Sequence, residues 1–179
     1  MLSSSLFCSL AVFSSQFYCF YQSPLGQIRL IEIQEHLTQA DFVEDLPQAE
    51  NISETFKESY SAFLLTVCQQ LDEYFTGIRQ KFDLKLKPQG TAFQCSAWNA
   101  LLRVPYGETW SYLQHAQEIK NPKAVRAIGQ ANARNPIPII IPCHRVIGKN
   151  GELTGYAGGL GRKAQLLELE RRFKHGQKN

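Results

Sequence analysis

The sequence predicts an α/β first half, with a small antiparallel sheet and one long helix, joined to an all-α second half that contains a helix-turn-helix. Three observations lead there. Two apolar runs flank Ser23-Pro24-Leu25-Gly26, which is hairpin chemistry because Pro presets one corner and Gly accepts positive φ at another. Apolar residues between Glu54 and Phe75 recur at helical spacing. Pro88-Gln89-Gly90 breaks the pattern, and the charge balance reverses there: residues 1–88 hold 6 Lys/Arg against 11 Asp/Glu, and residues 89–179 hold 13 against 5. The domain boundary is placed between residues 88 and 89. At 179 residues, 44% apolar and 20% charged, the chain can bury real cores and is neither disordered nor fibrous.

The elements follow in order. Residues 1–28 carry no charged side chain, and Leu6 to Phe13 is apolar, yet a secretory signal needs a basic start and a small-residue cleavage site, and both are missing. This stretch reads as a leader running into a strand, Gln16 to Gln22, with a second strand, Gln27 to Ile33, after the turn. The long helix, Glu54 to Phe75, carries Phe56, Tyr60, Phe63, Leu64, Val67, Leu71 and Tyr74 on one stripe and stops at Gly77; Cys68 borders the stripe as core filling. Arg79 to Gly90 alternates Phe82, Leu84 and Leu86 with charged residues and reads as a short strand.

Beyond the boundary, Thr91 and Gln94 form a capping-box signature for a helix burying Phe93, Ala97, Trp98, Leu101 and Leu102 and ending before Pro105. A helix from Ser111 to Ile119, a break at Lys120-Asn121, and a helix starting at Pro122 with Asn121 as cap make the helix-turn-helix. The second of these helices is unusual. Ala124, Ala127, Gly129 and Ala131 are small, and Arg126 is its long cation after Lys123, so it suits close approach to a shallow or narrow groove with one residue inserted. The net positive charge of the second half fits a polyanionic partner.

Five widely spaced cysteines, Cys8, Cys19, Cys68, Cys95 and Cys143, contain no CxxC pair, which argues against a disulfide framework and for a reducing compartment. No run reaches the length and apolarity of a membrane span. One cysteine stands apart. Pro136 to Pro142 is an apolar, proline-stiffened run that delivers the chain to Cys143-His144-Arg145-Val146, and a cysteine beside a histidine is a candidate nucleophile and base. Neighbouring side chains of extended backbone point apart, so His144 is expected to reach Cys143 through a water or across a turn. Glu170 is the best carboxylate to orient the histidine, because its spacing from Leu166, Leu167 and Phe173 sets it toward the inner side of a final helix, Leu160 to Phe173; Glu168 points to solvent.

Asn135-Pro-Ile-Pro-Ile-Ile-Ile-Pro-Cys-His-Arg-Val146 resembles the active-site signature of the O6-alkylguanine-DNA alkyltransferases. The resemblance extends through Val104-Pro-Tyr-Gly-Glu-Thr-Trp-Ser-Tyr112, Asn121-Pro-Lys-Ala-Val-Arg126 and Gly155-Tyr-Ala-Gly-Gly-Leu160, covering residues 91–173 well and the first half in outline only. It implies a ribonuclease H-like first domain with a structural role and a winged-helix-like second domain that binds DNA and accepts the alkyl group. It further implies that Cys143 displaces guanine from the alkyl group in one irreversible step, that His144 takes the thiol proton through water, and that Glu170 orients and charges the histidine. Tyr112 would donate a proton to the departing base, and Asn135 would brace the active-site turn. DNA would be held by Lys123, Ala124, Ala127, Gln130, Ala131 and Tyr112, with Arg126 filling the space left by a flipped nucleotide. The base pocket would be walled by Pro138, Val146 and Tyr156 under the loop reaching Gly159, with the Ala157 amide near O6 and Gly158 beside it. Some relatives have serine where Ala157 stands, so pocket polarity differs here.

O4-alkylthymine is an expected second substrate, duplex DNA entered from the minor groove the expected partner, and a monomer in the cytoplasm or nucleus the expected form. No cofactor is expected. A structural zinc in the first domain is not expected either, since Cys8, Cys19 and His36 fit no zinc spacing and lack a fourth ligand. Two other readings compete: a lesion-binding or regulatory DNA-binding protein, which leaves the Cys-His turn without purpose, and a cysteine hydrolase, which would turn over many times.

Overall fold

The computed structural model describes residues 16–43, 57–58 and 60–176. The leader around Leu6 to Phe13, Cys8 and Phe56 lie outside the described residues. Strands β1 (Gln16–Ser23), β2 (Gly26–Ile33), β3 (His36–Val43) and β4 (Lys57–Glu58) form a sheet in the order β3-β2-β1-β4. The first three pair antiparallel, and β4 runs parallel to β1. Alternation sends Cys19 and Tyr21 of β1, Ile28 and Leu30 of β2, and Leu37 and Ala40 of β3 into the core. Strand β3 is additional to the sequence reading. Its turn, Gln34-Glu35, takes φ of 53° and 57° at two non-glycine residues, the primed geometry that matches strand twist but usually announces itself with Asn-Gly.

Helix α1 (Ala62–Phe75) covers the sheet with Leu64, Val67, Leu71, Tyr74 and Phe75. It begins eight residues later than Glu54. Ser61 caps it by accepting from the Leu64 amide at 3.0 Å, and the Ser61 hydroxyl donates to the buried Glu32 carboxylate, so the sheet fixes where the helix starts. Tyr60, placed on the stripe by spacing, is instead 55% exposed and donates to the Phe20 carbonyl. Gly77 ends the helix region at φ 80°; a Cβ there would stand 2.3 Å from the Phe173 ring, so no other residue fits. Residues 79–90 are not a strand. They make a single bridge, Leu37 with Leu86, and are held by Gln70, whose amide group both donates to and accepts from the Asp83 backbone.

Helix α2 (Ala92–Leu101) starts at the Thr91–Gln94 capping box and buries Ala97, Trp98, Ala100 and Leu101; Leu102, expected inside, is 46% exposed. Strand β5 (Trp110–Ser111) leads into α3 (Tyr112–Glu118), also opened by a capping box, Ser111 with Gln114. A 3₁₀ turn, Pro122–Ala124, precedes α4 (Val125–Ala133), and Asn121 makes no side-chain cap bond. Pro122 starts the turn because its missing N–H costs nothing there. The second half is not wholly α: β5 pairs in parallel with β6 (Val146–Ile147), tying the start of α3 to the segment after Cys143. Helix α5 (Leu160–Gly176) closes the chain. Ala97, Ala116 and Ala131 pack α2, α3 and α4 together around Ile128. The larger core runs without interruption from Leu30 and Tyr74 to Ile137, Ile141 and Leu166, joining the two halves. No helix among the described residues is long and apolar enough to cross a membrane.

Candidate active site

The run from Pro136 to Pro142 is buried almost throughout, and Asn135 braces it from within. The Asn135 side chain accepts from the Ile137 amide at 3.0 Å and donates to the Ile141 carbonyl at 2.7 Å and to Cys143 Sγ at 3.2 Å. Strand β3 supports the same run through a bond from the Ala40 amide to the Pro136 carbonyl, 2.8 Å. Ile139 takes φ 72°, strained for a β-branched residue and held only because the packed surroundings over-determine it. Cys143–Arg145 then forms a 3₁₀ turn. The turn keeps Cys143, His144 and Arg145 all buried.

Glu170, fully buried on α5, accepts from His144 Nε2 at 2.9 Å, Tyr74 Oη at 2.8 Å and the Gly107 amide at 2.9 Å. Arg145 adds a forked pair, Nε at 2.9 Å to one oxygen and Nη2 at 2.9 Å to the other. Burial pushes this carboxyl up, but the hydrogen bonds from His144 and Arg145 and the Arg145 charge prevail and hold it down at about 2. A carboxylate accepts only, so the His144 proton sits on Nε2. That leaves Nδ1, buried and without a hydrogen-bond partner among the described residues, as the basic nitrogen.

The electrostatics correct one expectation. The sequence reading gives Glu170 to His144 alone and thereby expects a charged histidine. Arg145 instead neutralises most of the Glu170 charge. Burial lowers the His144 pKa, and burial also raises the Cys143 thiol to about 11 despite the Asn135 bond. In the free protein, then, both groups are neutral. The sign follows directly: an acid with a raised pKa stays protonated to higher pH. Peptide mapping after iodoacetamide treatment is expected to find Cys143 almost unlabelled at pH 7 and increasingly labelled from about pH 9 to 11. Complete labelling at pH 7 would contradict the neutral resting site.

Lys163, buried in the first turn of α5, donates to the Val146 and Thr154 carbonyls, each at 2.6 Å, and burial lowers its pKa to about 8. These contacts fix the start of the loop holding Tyr156, whose buried ring lies near enough to Cys143 for the thiolate charge to raise its pKa further after burial. Pro138 and Val146 are buried, Ala157 is exposed and Gly158 half-buried. Tyr112 Oη donates to the Thr154 carbonyl at 2.9 Å, linking α3 to that loop. Lys123, Arg126, Ala127 and Gln130 are exposed along one side of α4 and its leading turn, with Ala124 half-buried. Ala131 departs from this set: it is 2% exposed, and its carbonyl accepts from Trp98 Nε1, so it faces α2.

Cys143, His144, Glu170 and Asn135 are thus brought together with Tyr156 near Cys143, whereas Tyr112 reaches the loop at Thr154. Sequence reasoning left Arg145, Tyr74 and Lys163 without roles. Arg145 stood in the quoted motif, and the need of a buried carboxylate for a counterion was the signal that could have found it. Among the described residues no three His, Cys, Asp or Glu side chains group to hold a metal.

Two family models match the chain: the 6-O-methylguanine DNA methyltransferase ribonuclease-like domain over residues 17–88 and the DNA binding domain of the same family over residues 92–172. The methylated-DNA–protein-cysteine methyltransferase of Methanosarcina acetivorans is 49% identical over 154 residues, covering 86% of this chain and 97% of that protein. The constitutive enzyme of that name from Bacillus subtilis is 46% identical over 161 residues, covering 87% and 95%. Among solved structures, Mycobacterium tuberculosis OGT in complex with DNA superposes with a TM-score of 0.80 at 43% identity, covering 88% of this chain and 94% of that one.

Proposed function

Because the chain belongs to the 6-O-methylguanine DNA methyltransferase family, we propose that it repairs DNA directly by moving the alkyl group of O6-alkylguanine onto Cys143. The observation that carries the assignment to this residue is the linked set Cys143, His144 and Glu170, in which Glu170 fixes the histidine tautomer and leaves Nδ1 free for a proton. The thiol proton passes through a water to Nδ1, and the charge that forms on His144 is matched by Glu170. The thiolate then attacks the alkyl carbon: a sulfur–carbon bond forms, the bond from carbon to O6 breaks, and its electron pair leaves with guanine. Tyr112 supplies a proton to the departing base, giving up its bond to Thr154, and the Ala157 amide faces O6. The thioether stays, so each molecule acts once. A neutral resting thiol suits this single use, since it is not spent on adventitious electrophiles.

The guanine O6 is hidden in a duplex, so the damaged nucleotide is turned out of the stack into the pocket under Tyr156. Helices α3 and α4 serve as a helix-turn-helix that enters the minor groove, with Lys123 and Gln130 holding the backbone, Ala127 allowing close approach, and Arg126 filling the gap. O4-alkylthymine fits the same chemistry, and a monomer suffices for it.

The experiment mixes the protein with a duplex bearing O6-methylguanine and follows intact mass. One methyl group per molecule is expected, mapped to Cys143, with affinity that falls with salt and depends little on sequence. Arg126→Ala is expected to slow transfer from the duplex by about 10- to 100-fold, as the few kcal/mol of unstacking suggest, and to leave reaction with free O6-alkylguanine nearly unchanged. Methyl on Cys68 or Cys95, or many lesions repaired per molecule, would overturn the assignment. Equal losses on both substrates would remove the inserted-arginine role.

A further inference from the structure

Arg162 stands one residue before Lys163 in the first turn of α5, which follows the Tyr156–Gly159 loop, and its half-buried side chain reaches into the first half of the chain. Nε donates to the Leu25 carbonyl in the β1–β2 turn at 2.9 Å, Nη1 donates to the Gly158 carbonyl at 3.2 Å, and the guanidinium carbon lies 4.5 Å from the centre of the Phe42 ring of β3. The fit leaves little space. A Cβ on Gly26 would stand 3.1 Å from Arg162 Nη2, and one on Gly158 would meet Tyr156 Cε1 at 2.7 Å and Phe42 Cδ2 at 3.0 Å. Gly158 therefore lets the Tyr156 ring and the Phe42 ring close from either side.

We propose that Arg162, stacked on Phe42, is a positioning residue for the alkylated base: it anchors the far end of the Tyr156–Gly159 loop to the first half of the chain. The proposal rests on reading that loop as the wall of the base pocket. Lys163 holds the near end through the Thr154 carbonyl and Arg162 holds the far end through the Gly158 carbonyl, so adjacent residues of α5 clamp the two ends. The loop needs such clamping. Gly158 and Gly159 lie in it, the latter at φ 86°, and Gly155 at φ 51° precedes it; a glycine-rich segment loses the most conformational freedom when a ligand must order it. Ordering it before the base arrives moves that cost from binding to folding. The guanidinium is suited to this because its planar fork bonds in two directions while its face stacks on a ring; a lysine ammonium offers no such plane.

The test measures single-turnover transfer against concentration of free O6-alkylguanine, which depends on the pocket and not on the DNA surface. Arg162→Ala is expected to raise the half-saturating concentration about tenfold, with a smaller change in the maximal rate, the size expected when one ordering hydrogen-bond set is lost. Duplex affinity is expected to stay within about twofold, since the residues assigned to DNA are on α3, α4 and the turn between them. Arg162→Lys should resemble the alanine variant, and Phe42→Leu should shift half-saturation in the same direction. A purely structural role would lower the unfolding midpoint and leave half-saturation at the parental value, which overturns the proposal. If Arg162→Ala does not fold, the lysine and Phe42→Leu variants decide in the same way. The parental protein keeps the two readings apart: no transfer to Cys143 from either substrate defeats the alkyltransferase assignment, whereas normal parental transfer with unchanged variants defeats only the role of Arg162.

Discussion

Replacing Cys143 with alanine is expected to abolish alkyl uptake completely while leaving duplex binding within about twofold. The loss is total because no other described thiol shares its setting: Cys19 is buried in β1, Cys68 lies on α1, and Cys95 lies on α2. None of them adjoins a histidine held by a carboxylate. The fold should tolerate the change. Asn135 Nδ2 loses its contact to Sγ but keeps the Ile141 carbonyl at 2.7 Å, so the cost is that of one weak hydrogen bond and a small void, about 1–2 kcal/mol. Binding survives because the exposed residues of α4 are untouched. Intact mass after incubation with an O6-methylguanine duplex reads the first quantity and fluorescence anisotropy the second. Any methylated alanine variant would show that the acceptor lies elsewhere.

Glu170→Gln is expected to slow transfer at pH 7 by roughly 10- to 1000-fold, the range for loss of an activating group, and also to destabilise the protein. The two effects have separate origins. Glutamine keeps the shape but no longer matches the charge on His144 once it has taken the thiol proton, so raising the pH should recover part of the rate. It also leaves the Arg145 guanidinium, at most 7% exposed, without its counterion, and an uncompensated buried charge costs about 3–5 kcal/mol. The parental carboxylate makes its own contribution visible in acid. Its folded pKa, about 2, lies below the ordinary 4.5, so its stabilisation is complete above pH 4.5 and is lost as pH falls from there toward 2. The shift amounts to about 3 kcal/mol. Denaturant unfolding of both proteins across that range should show the parental curve falling toward that of the variant. Kinetics measured well below the unfolding midpoint separate rate from stability. A folded variant with parental rate and parental stability would reduce Glu170 to an ordinary buried residue.

Where the sequence spoke through local chemistry, it was legible. Thr91 with Gln94 caps its helix through short-range bonds, and the Pro24-Leu25-Gly26 turn forms where its residue types ask for it. The contact of Glu170 with His144 was readable because helical spacing alone sets the inner side of α5. Properties that depend on distant chain were not. Strand β3 was hidden behind a Gln-Glu turn whose φ values neither residue favours, and the start of α1 is decided by a Glu32 carboxylate nearly thirty residues away from Ser61. Ala131 was assigned to the open side of α4 because small residues look alike in sequence, whether they admit a ligand or a neighbouring helix. The charge state of His144 is hidden too, because the burial that lowers its pKa comes from the whole surrounding fold.

The bond from Tyr74 to Glu170 ties a helix of the first half to the reacting set of the second. Recombination between relatives would feel this. A chimera that joins residues 89–179 to a foreign first half inherits every residue assigned to the chemistry, yet it depends on the donor to deliver a phenol at the depth and angle of Tyr74. Without one, the carboxylate loses a donor beside His144 and the crossover yields a protein with complete motifs and an untuned base. Inheritance in this molecule is therefore by the pair of halves rather than by the half that carries the signature.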